Sequence, residues 1–179
     1  LMPSMWTRQA GGMGLHRALR RIGLGRYHLT RSTPYFTPSG QDTRILYDTT
    51  RLRMTSTCSQ SVPSCYISLP DGKHKHVAAY ARFQDIASGR SFYFVSAHLT
   101  PGNDATTDAL RGRQAQAMNN GIRAIDREGL PVVFASDVNS GQLSAGVDAP
   151  HTALLNAGWY DTQAAATRVN VQYNSVNAY

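Results

Sequence analysis

The chain of 179 residues lacks the features that mark several large protein classes. It has no apolar run near the roughly 20 residues that a helix needs to cross a bilayer, so no transmembrane segment is predicted. It also has no internal repeat and no low-complexity linker. The length is that of one domain with a core of its own. A hydrophobic content of 41% with 16% charged residues is typical of a globular chain rather than a disordered one.

An initiator methionine and a leader are also missing at the first residues. The chain begins at Leu1, and no charged-then-apolar leader follows. This beginning predicts a processed or trimmed piece, from which any signal peptide has been lost upstream.

Lysine is scarce and acidic residues are outnumbered. Lys73 and Lys75 are the only lysines among 18 basic residues, so the net charge of +7 comes almost wholly from arginine. Because a guanidinium group can bind phosphate with two hydrogen bonds, this balance favours a polyanionic substrate. A codon bias towards arginine with a solvated basic face would give the same composition. Charge alone does not decide between the two.

Cysteine occurs only twice, at Cys58 and Cys65, on either side of a polar segment rich in turn-forming residues. A pair at this spacing favours a small disulfide hairpin, which implies an oxidising compartment. Two unrelated free thiols are the alternative. No second Cys/His pair lies nearby at ligand spacing, which argues against a zinc site.

Apolar periodicity predicts strands with helices inserted between them. The predicted helices cover residues 6–22, 104–127 and 151–156, and the predicted strands cover 27–33, 44–48, 51–54, 77–85, 92–99 and a stretch that begins at 132. The second helix has Leu110, Met118, Ile122 and Ile125 on one face and arginines on the other, with Asp104 as its candidate cap. This order predicts an α/β (α+β) fold with mixed sheets and outer helices.

A histidine ends one of the apolar strands. His98 follows the run from Phe92 and precedes a turn at residues 100–103. A histidine in such a place can hydrogen-bond to a phosphoryl oxygen or protonate it near neutral pH. A ring that is satisfied by the loop backbone is the alternative.

A second polar cluster ends the strand that begins at Val132. Asp137 and Asn139 alternate there, so both side chains are predicted to point to one side of the strand end. Asp137 offers a hard oxygen ligand or a base for water, and Asn139 offers an amide that binds phosphate without repulsive charge. An Asx turn after the strand is the alternative.

The two clusters, in this order and with one helix between them, resemble the endonuclease/exonuclease/phosphatase superfamily. Its members include pancreatic-type deoxyribonuclease, abasic-site endonucleases, inositol polyphosphate phosphatases and bacterial sphingomyelinases. The similar motifs, in chain order, are I-L-Y-x-x-x-R at residues 44–52, V-x-T-H-L at 94–99, G-D-F-N at 133–139 and L-x-x-x-G-x-x-D at 154–161. The resemblance is strongest over residues 80–161, and it points to a secreted, actinobacterial type of member.

The resemblance implies a four-layer α/β sandwich of two packed mixed sheets with outer helices, incomplete in this chain. It also implies that His98 polarises the scissile phosphate or acts as an acid, and that Asp137 orients or activates water. Asn139 would bind the phosphate. Asp137 would also be a ligand of one divalent ion, Mg²⁺ or else Mn²⁺ or Ca²⁺, which would polarise the phosphoryl group.

The chain departs from the superfamily pattern in two ways. Ser136 and Val138 replace the usual Gly and Phe of G-D-F-N, which leaves the Asp and the Asn in place. The superfamily often has an arginine just before its A-x-F strand, which corresponds to residues 77–85 here, and the nearest candidates in this chain are His76 and Lys75. His76 therefore becomes the candidate phosphate-binding residue beside Asn139.

The superfamily also needs an early Asn, a metal-binding Glu in a Q-E strand and a terminal Ser-Asp-His, and this chain contains none of the three. By the resemblance, residues 1–179 are the central part of a single domain that lacks its N-terminal and C-terminal motifs. We expect weak metal binding and poor catalysis from these residues alone. We further expect the rest of the same polypeptide, or another chain, to complete the fold.

The function implied by the resemblance is a divalent-metal-dependent phosphodiesterase, and the basic composition favours a nuclease acting on DNA or RNA. A lipid or inositol phosphate hydrolase, of the sphingomyelinase or phosphatase type, is one alternative with the same core. A non-catalytic binding or structural module that keeps the fold is the other. The predicted disulfide and the secreted relatives imply a secreted or cell-surface location.

Overall fold

The computed structural model describes residues 8–30, 43–56, 65–71, 76–140 and 148–162, with side chains from Leu15 onward. These residues form three helices and seven strands. In chain order they are α1 (Arg8–Arg21), β1 (Tyr27–Leu29), β2 (Leu46–Asp48), β3 (Leu52–Met54), β4 (Tyr66–Leu69), β5 (His76–Asp85), β6 (Ser91–Ala97), α2 (Ala105–Ile125), β7 (Val132–Phe134) and α3 (Ala149–Asn156). Within this described part, no helix is long and apolar enough to cross a membrane.

The strands form two sheets. Five of them make one mixed sheet, in which β3, β5, β6 and β7 lie side by side and β4 pairs with the other end of β5. All of its pairs are antiparallel except β6 with β7, which run parallel. A parallel pair needs a crossover, and α2 provides it. β1 and β2 pair antiparallel as a separate small sheet.

The central strands are buried because both faces of the large sheet are covered. On one face, Val95 of β6 packs in a cluster with Met118 and Ile122 of α2. On the other face, Phe83 of β5 packs with Ile45, which precedes β2. The layers therefore run from helices through the large sheet to the small sheet, and α1 contacts β1. This arrangement confirms the predicted α/β fold with two sheets and outer helices.

The start of α2 confirms the predicted cap. Asp104 lies just before the helix in an extended conformation, and its Oδ1 accepts the Thr107 backbone N–H at 2.9 Å. Its Oδ2 accepts the Thr107 hydroxyl. A capping carboxylate satisfies donors that the first helical turn would otherwise leave free. The helix thus begins directly after the loop that follows His98.

The prediction that the arginines of α2 lie on its outer face is wrong for Arg111. This side chain is buried beside Asp108, and the two charged groups are 3.1 Å apart. Arg111 also donates to the carbonyl oxygens of Thr100 and Gly102, at 3.2 and 2.7 Å. A buried guanidinium is tolerated here because its charge is paired and two N–H groups have acceptors.

β4 and the cysteine loop differ from the other elements in how they relate to the sequence patterns. The strand β4 was not predicted, although its residues pair with β5 in an antiparallel register. Cys58 lies outside the described residues, as do Lys75 and residues 31–33 of a predicted strand. The Cys58–Cys65 disulfide therefore stays a prediction. Cys65 itself lies directly before β4, where its carbonyl oxygen accepts the Tyr80 N–H at 3.0 Å.

Alternation along β6 and β7 decides which side of the large sheet carries the polar strand ends. Val95 and Phe134 both contact the cluster beneath α2. His98 and Asp137 each lie three positions further along the chain. Because side chains alternate along an extended chain, both are directed to the opposite face, towards the small sheet.

Candidate functional site

His98 and Asp137 lie side by side where the two parallel strands end. They form one parallel bridge beyond β6 and β7, and the Leu99 N–H donates to the Asp137 carbonyl oxygen at 3.0 Å. His98 Nε2 and Asp137 Oδ2 are 3.7 Å apart, and the two side chains are 39% and 61% exposed. The fold therefore brings together, at the surface, two residues that are far apart in the sequence.

Asn139 joins the group through a turn of the backbone. Its φ is +49°, a left-handed conformation that asparagine adopts more readily than most residues. Its backbone N–H donates to Asp137 Oδ1 at 3.0 Å, which is the Asx turn weighed above as an alternative. Its Nδ2 donates to the Leu99 carbonyl oxygen at 2.7 Å. The turn therefore holds Oδ1 of Asp137 and leaves Oδ2 facing His98.

Ser136 has a structural role at the same strand ends. One step before it, the Ala135 N–H donates to the Val95 carbonyl oxygen at 3.1 Å, as in a regular ladder. The Ala97 N–H then donates to the Ser136 hydroxyl oxygen at 2.7 Å. The serine that replaces the superfamily glycine thus extends the contact between β6 and the segment after β7.

His76 does not reach the exposed face of the site. It is 3% exposed at the start of β5. Its Nδ1 lies 3.1 Å from the His98 carbonyl oxygen, and its Nε2 lies 3.3 Å from the Thr100 hydroxyl oxygen. Both ring nitrogens thus have partners inside the protein. Phosphate binding by His76 stays a prediction, and this geometry favours support of the His98 backbone instead.

The exposed group combines three chemical capacities. An imidazole can give or take a proton near neutral pH, a carboxylate can bind a hard cation or orient water, and an amide N–H can donate to an anion. A cation at Asp137 Oδ2 would have one protein carboxylate, which fits the way Mg²⁺ combines one or two carboxylates with water and phosphate oxygens. Among the residues described, no three His, Cys, Asp or Glu side chains are grouped to hold a metal ion.

A groove of about 690 Å³ lies along β7 and α3, and Ser136 and Val138 line it while Asp137 does not. Its polar end contains His151 between two carboxylates, with Nδ1 3.0 Å from Asp148 Oδ2 and Nε2 3.1 Å from Asp161 Oδ2. Two carboxylates to one histidine make the groove unfavourable for a phosphate anion.

Several buried polar residues behind the site were not identified from the sequence. Asp108, Arg111 and Gln114 continue, at three-residue spacing, the buried face of α2 that includes Met118 and Ile122. Polar residues at core positions of an amphipathic helix were the available signal, because such groups need partners when buried.

Several solved structures have a similar fold. No protein-family model matches the sequence, and no curated protein matches it. The human Nocturnin catalytic domain, with a bound sulfate anion, gives a TM-score of 0.61 at 14% identity, over 83% of this chain and 53% of that chain. An endonuclease/exonuclease/phosphatase family protein from Bacteroides thetaiotaomicron gives 0.56 at 18% identity, over 77% and 50%. D. rerio TDP2, in complex with a single-strand DNA product, gives 0.55 at 17% identity, over 81% and 48%.

The chain spans about half the length of these solved structures, which cover 77% to 83% of it. The mixed sheet, the helical crossover between β6 and β7 and the two sheets with outer helices agree with this likeness. The chain has the fold of the endonuclease/exonuclease/phosphatase superfamily.

Proposed function

We propose that the protein hydrolyses phosphoester bonds and that its substrate is a nucleic acid phosphodiester. The observation that carries this proposal is the exposed group of His98, Asp137 and Asn139 at two adjacent strand ends, with 3.7 Å between His98 Nε2 and Asp137 Oδ2. The net charge of +7 and the DNA product bound by the similarly folded TDP2 support a polyanionic substrate.

The proposed chemistry is attack of a water oxygen on phosphorus with loss of the leaving-group oxygen. The Asp137 carboxylate orients the water and accepts its proton, while His98 Nε2 donates to a phosphoryl oxygen. Asn139 keeps one amide N–H beyond its bond to Leu99, and this N–H is the donor for the phosphate. The proton that Asp137 accepted passes to the leaving oxygen through His98 Nε2, so that the products are an alcohol and a phosphate ester.

We further propose Mg²⁺ at Asp137, with Mn²⁺ or Ca²⁺ as substitutes, because an exposed carboxylate oxygen suits a hard cation. Such an ion, when bound, neutralises charge on the phosphoryl group.

We also propose that the active protein contains parts beyond these 179 residues, supplied by the same polypeptide or by another chain. The likeness to solved structures of about twice the length supports this. A secreted or cell-surface location is proposed on the predicted Cys58–Cys65 disulfide, which needs an oxidising compartment.

Removal of the Asp137 carboxylate tests the proposed activity. In the natural full-length protein with Mg²⁺, Asp137→Asn and His98→Asn should each lower the rate of plasmid DNA cleavage by about a hundredfold or more, because each removes a proton-transfer group. Glu128→Gln is the matched control, since that carboxylate is 58% exposed against 61% for Asp137 and pairs with Arg82 instead. Equal activity of Asp137→Asn and Glu128→Gln would contradict the proposed site.

The same assay separates the alternatives by substrate. Faster hydrolysis of sphingomyelin or inositol phosphates than of DNA and RNA would assign the site to a lipid or inositol phosphate hydrolase. Absence of hydrolysis of all four by the full-length protein, with Mg²⁺, Mn²⁺ or Ca²⁺, would identify a non-catalytic module.

A further inference from the structure

A buried hydrogen-bonded chain connects α2 to the peptide group that carries His98. Gln114 of α2 is fully buried. Its Oε1 accepts the Thr100 N–H at 3.0 Å, and its Nε2 donates to the Pro70 carbonyl oxygen at 2.7 Å and to the Thr100 hydroxyl oxygen at 2.8 Å. The Thr100 hydroxyl then contacts His76, and His76 contacts the His98 carbonyl oxygen.

The partners of Gln114 determine the direction of every bond in this chain. A backbone N–H and a backbone carbonyl oxygen flank its amide, so the amide oxygen must face the first and the amide nitrogen the second. The Thr100 hydroxyl therefore accepts from Gln114 and has its own proton left to donate to His76 Nε2. His76 Nδ1 carries a proton, because its partner, the His98 carbonyl oxygen, can only accept.

The peptide group between His98 and Leu99 is held from both sides. Its carbonyl oxygen accepts from His76 on the β5 side. Its N–H donates to the Asp137 carbonyl oxygen, at 3.0 Å, on the β7 side. In the part of the chain that the structure describes, β6 ends at Ala97 and a single bridge follows, so no regular ladder fixes this group. The orientation of this peptide decides where the His98 ring stands relative to Asp137.

We propose that His76 is a positioning residue that holds His98 within reach of Asp137, through the chain from Gln114 and Thr100. This inference rests on the proposed phosphoester hydrolysis for its catalytic consequence, whereas the hydrogen-bonded chain is independent of it. His76 touches no substrate in this role. Loss of its bond lets the His98 peptide turn, and a displacement of the order of 1 Å in a catalytic group lowers the rate by up to about a hundredfold.

The position of the His76 proton is tested first, by a measurement that does not depend on enzyme activity. Long-range ¹H–¹⁵N NMR spectra of the wild-type full-length protein should show a proton on His76 Nδ1. Thr100→Val, which keeps the shape of the side chain and removes the hydroxyl, should change the His76 ring resonances and shift those of His98. An Nδ1 without a proton in the wild type, or unchanged His98 resonances in Thr100→Val, would overturn the proposal. The exposed Thr152→Val is the matched control.

The kinetic test uses bis(4-nitrophenyl) phosphate with Mg²⁺. Thr100→Val and His76→Leu should lower kcat by about tenfold to a hundredfold and change KM by less than about twofold, because the effect acts on geometry rather than on binding. His76→Asn should recover most of kcat, since its amide can donate from the position of Nδ1. Equal loss in the Asn and Leu variants would overturn positioning by the Nδ1–H bond. An inactive wild type with the expected proton on His76 Nδ1 would instead contradict the proposed hydrolysis.

Discussion

Single side chains take the place of backbone hydrogen bonds where β6 and β7 separate. The Ser136 hydroxyl oxygen accepts from Ala97, and the Asn139 amide donates to Leu99. The Asp137 carboxylate accepts from the Asn139 backbone. Each bond lets the chain leave the regular ladder without an unpaired buried group, which is costly in a protein interior. The polar residues at these strand ends therefore hold the backbone of the site in place and also provide its reactive groups.

Removal of the Ser136 hydroxyl should destabilise the protein. Ser136→Ala leaves the Ala97 N–H without its acceptor, and so does Ser136→Gly, which introduces the glycine of the superfamily motif. Ala97 is only 3% exposed, so water cannot readily replace the lost acceptor. We expect a loss of about 1–3 kcal/mol in the free energy of unfolding, measured by urea denaturation at pH 7. Ser96→Ala, one position before Ala97, is the control. An equal loss in both variants would show that the hydrogen bond of Ser136 has no special part.

Helix α2 joins the core and the site because one of its faces is both polar and buried. Its first turns place Arg111 and Gln114 against the loop that follows His98, and Asp108 pairs with Arg111. Its later turns pack closely on β4, since a Cβ at Gly121 would lie 2.5 Å from Ile67 Cγ2. Only glycine permits this approach, and the apolar contact then fixes the helix over the sheet.

The N-cap of α2 should make stability depend on pH in the acid range. Hydrogen bonds from the Thr107 hydroxyl and backbone N–H hold the pKa of Asp104 below its ordinary value of 3.8. A carboxyl whose folded pKa is lowered stabilises the fold above its unfolded pKa, and this contribution is lost as the pH falls through the folded pKa. Asp104→Asn should therefore reduce stability at pH 7 and have a diminishing effect below about pH 4.

Urea denaturation of wild type and Asp104→Asn between pH 7 and pH 2 measures this difference. Thr107→Val tests the cause, because it removes the first of the two hydrogen bonds. In an NMR titration the pKa of Asp104 should rise towards its ordinary value in Thr107→Val. An unchanged pKa in that variant would assign the shift to another cause.

The whole molecule is held together by two apolar layers, one on each face of the large sheet. The layer under α2 lies behind the site, and the layer around Phe83 joins the large sheet to the small one. The Phe83 ring centroid is 5.0 Å from that of Tyr47 in β2. This second layer therefore holds the small sheet on the large one.

Truncation of Phe83 should destabilise the molecule as a whole. Phe83 is 1% exposed, so Phe83→Ala removes a ring between the two sheets and should cost about 3–5 kcal/mol in the free energy of unfolding. Phe83→Leu, with a smaller loss of volume, should cost less than about 1.5 kcal/mol. Ile86→Ala, at a side chain 47% exposed, should stay within about 0.5 kcal/mol of wild type. Similar urea midpoints for Phe83→Ala and Ile86→Ala would contradict this account.

Much of the fold could be predicted because its signals are local. The helix predicted over residues 104–127 is α2 at Ala105–Ile125, and the strand predicted over 77–85 is β5 at His76–Asp85. β4 was not predicted because a four-residue strand after a turn-rich segment has little periodicity of its own. β4 is buried because it pairs with β5, and the local sequence pattern does not predict this pairing.

The sequence by itself determined the α/β class, the Asp104 cap and the polar strand ends at His98, Asp137 and Asn139, because periodicity and capping depend on near neighbours in the chain. Only the tertiary structure decided that His76 is buried behind His98 rather than exposed beside it. Only the tertiary structure likewise decided that the His98 and Asp137 side chains are 3.7 Å apart. The hydrogen bonds that fix these positions join residues 22 to 40 places apart in the chain. Such partners are chosen by strand order and by burial of unpaired polar groups, which are properties of the folded chain.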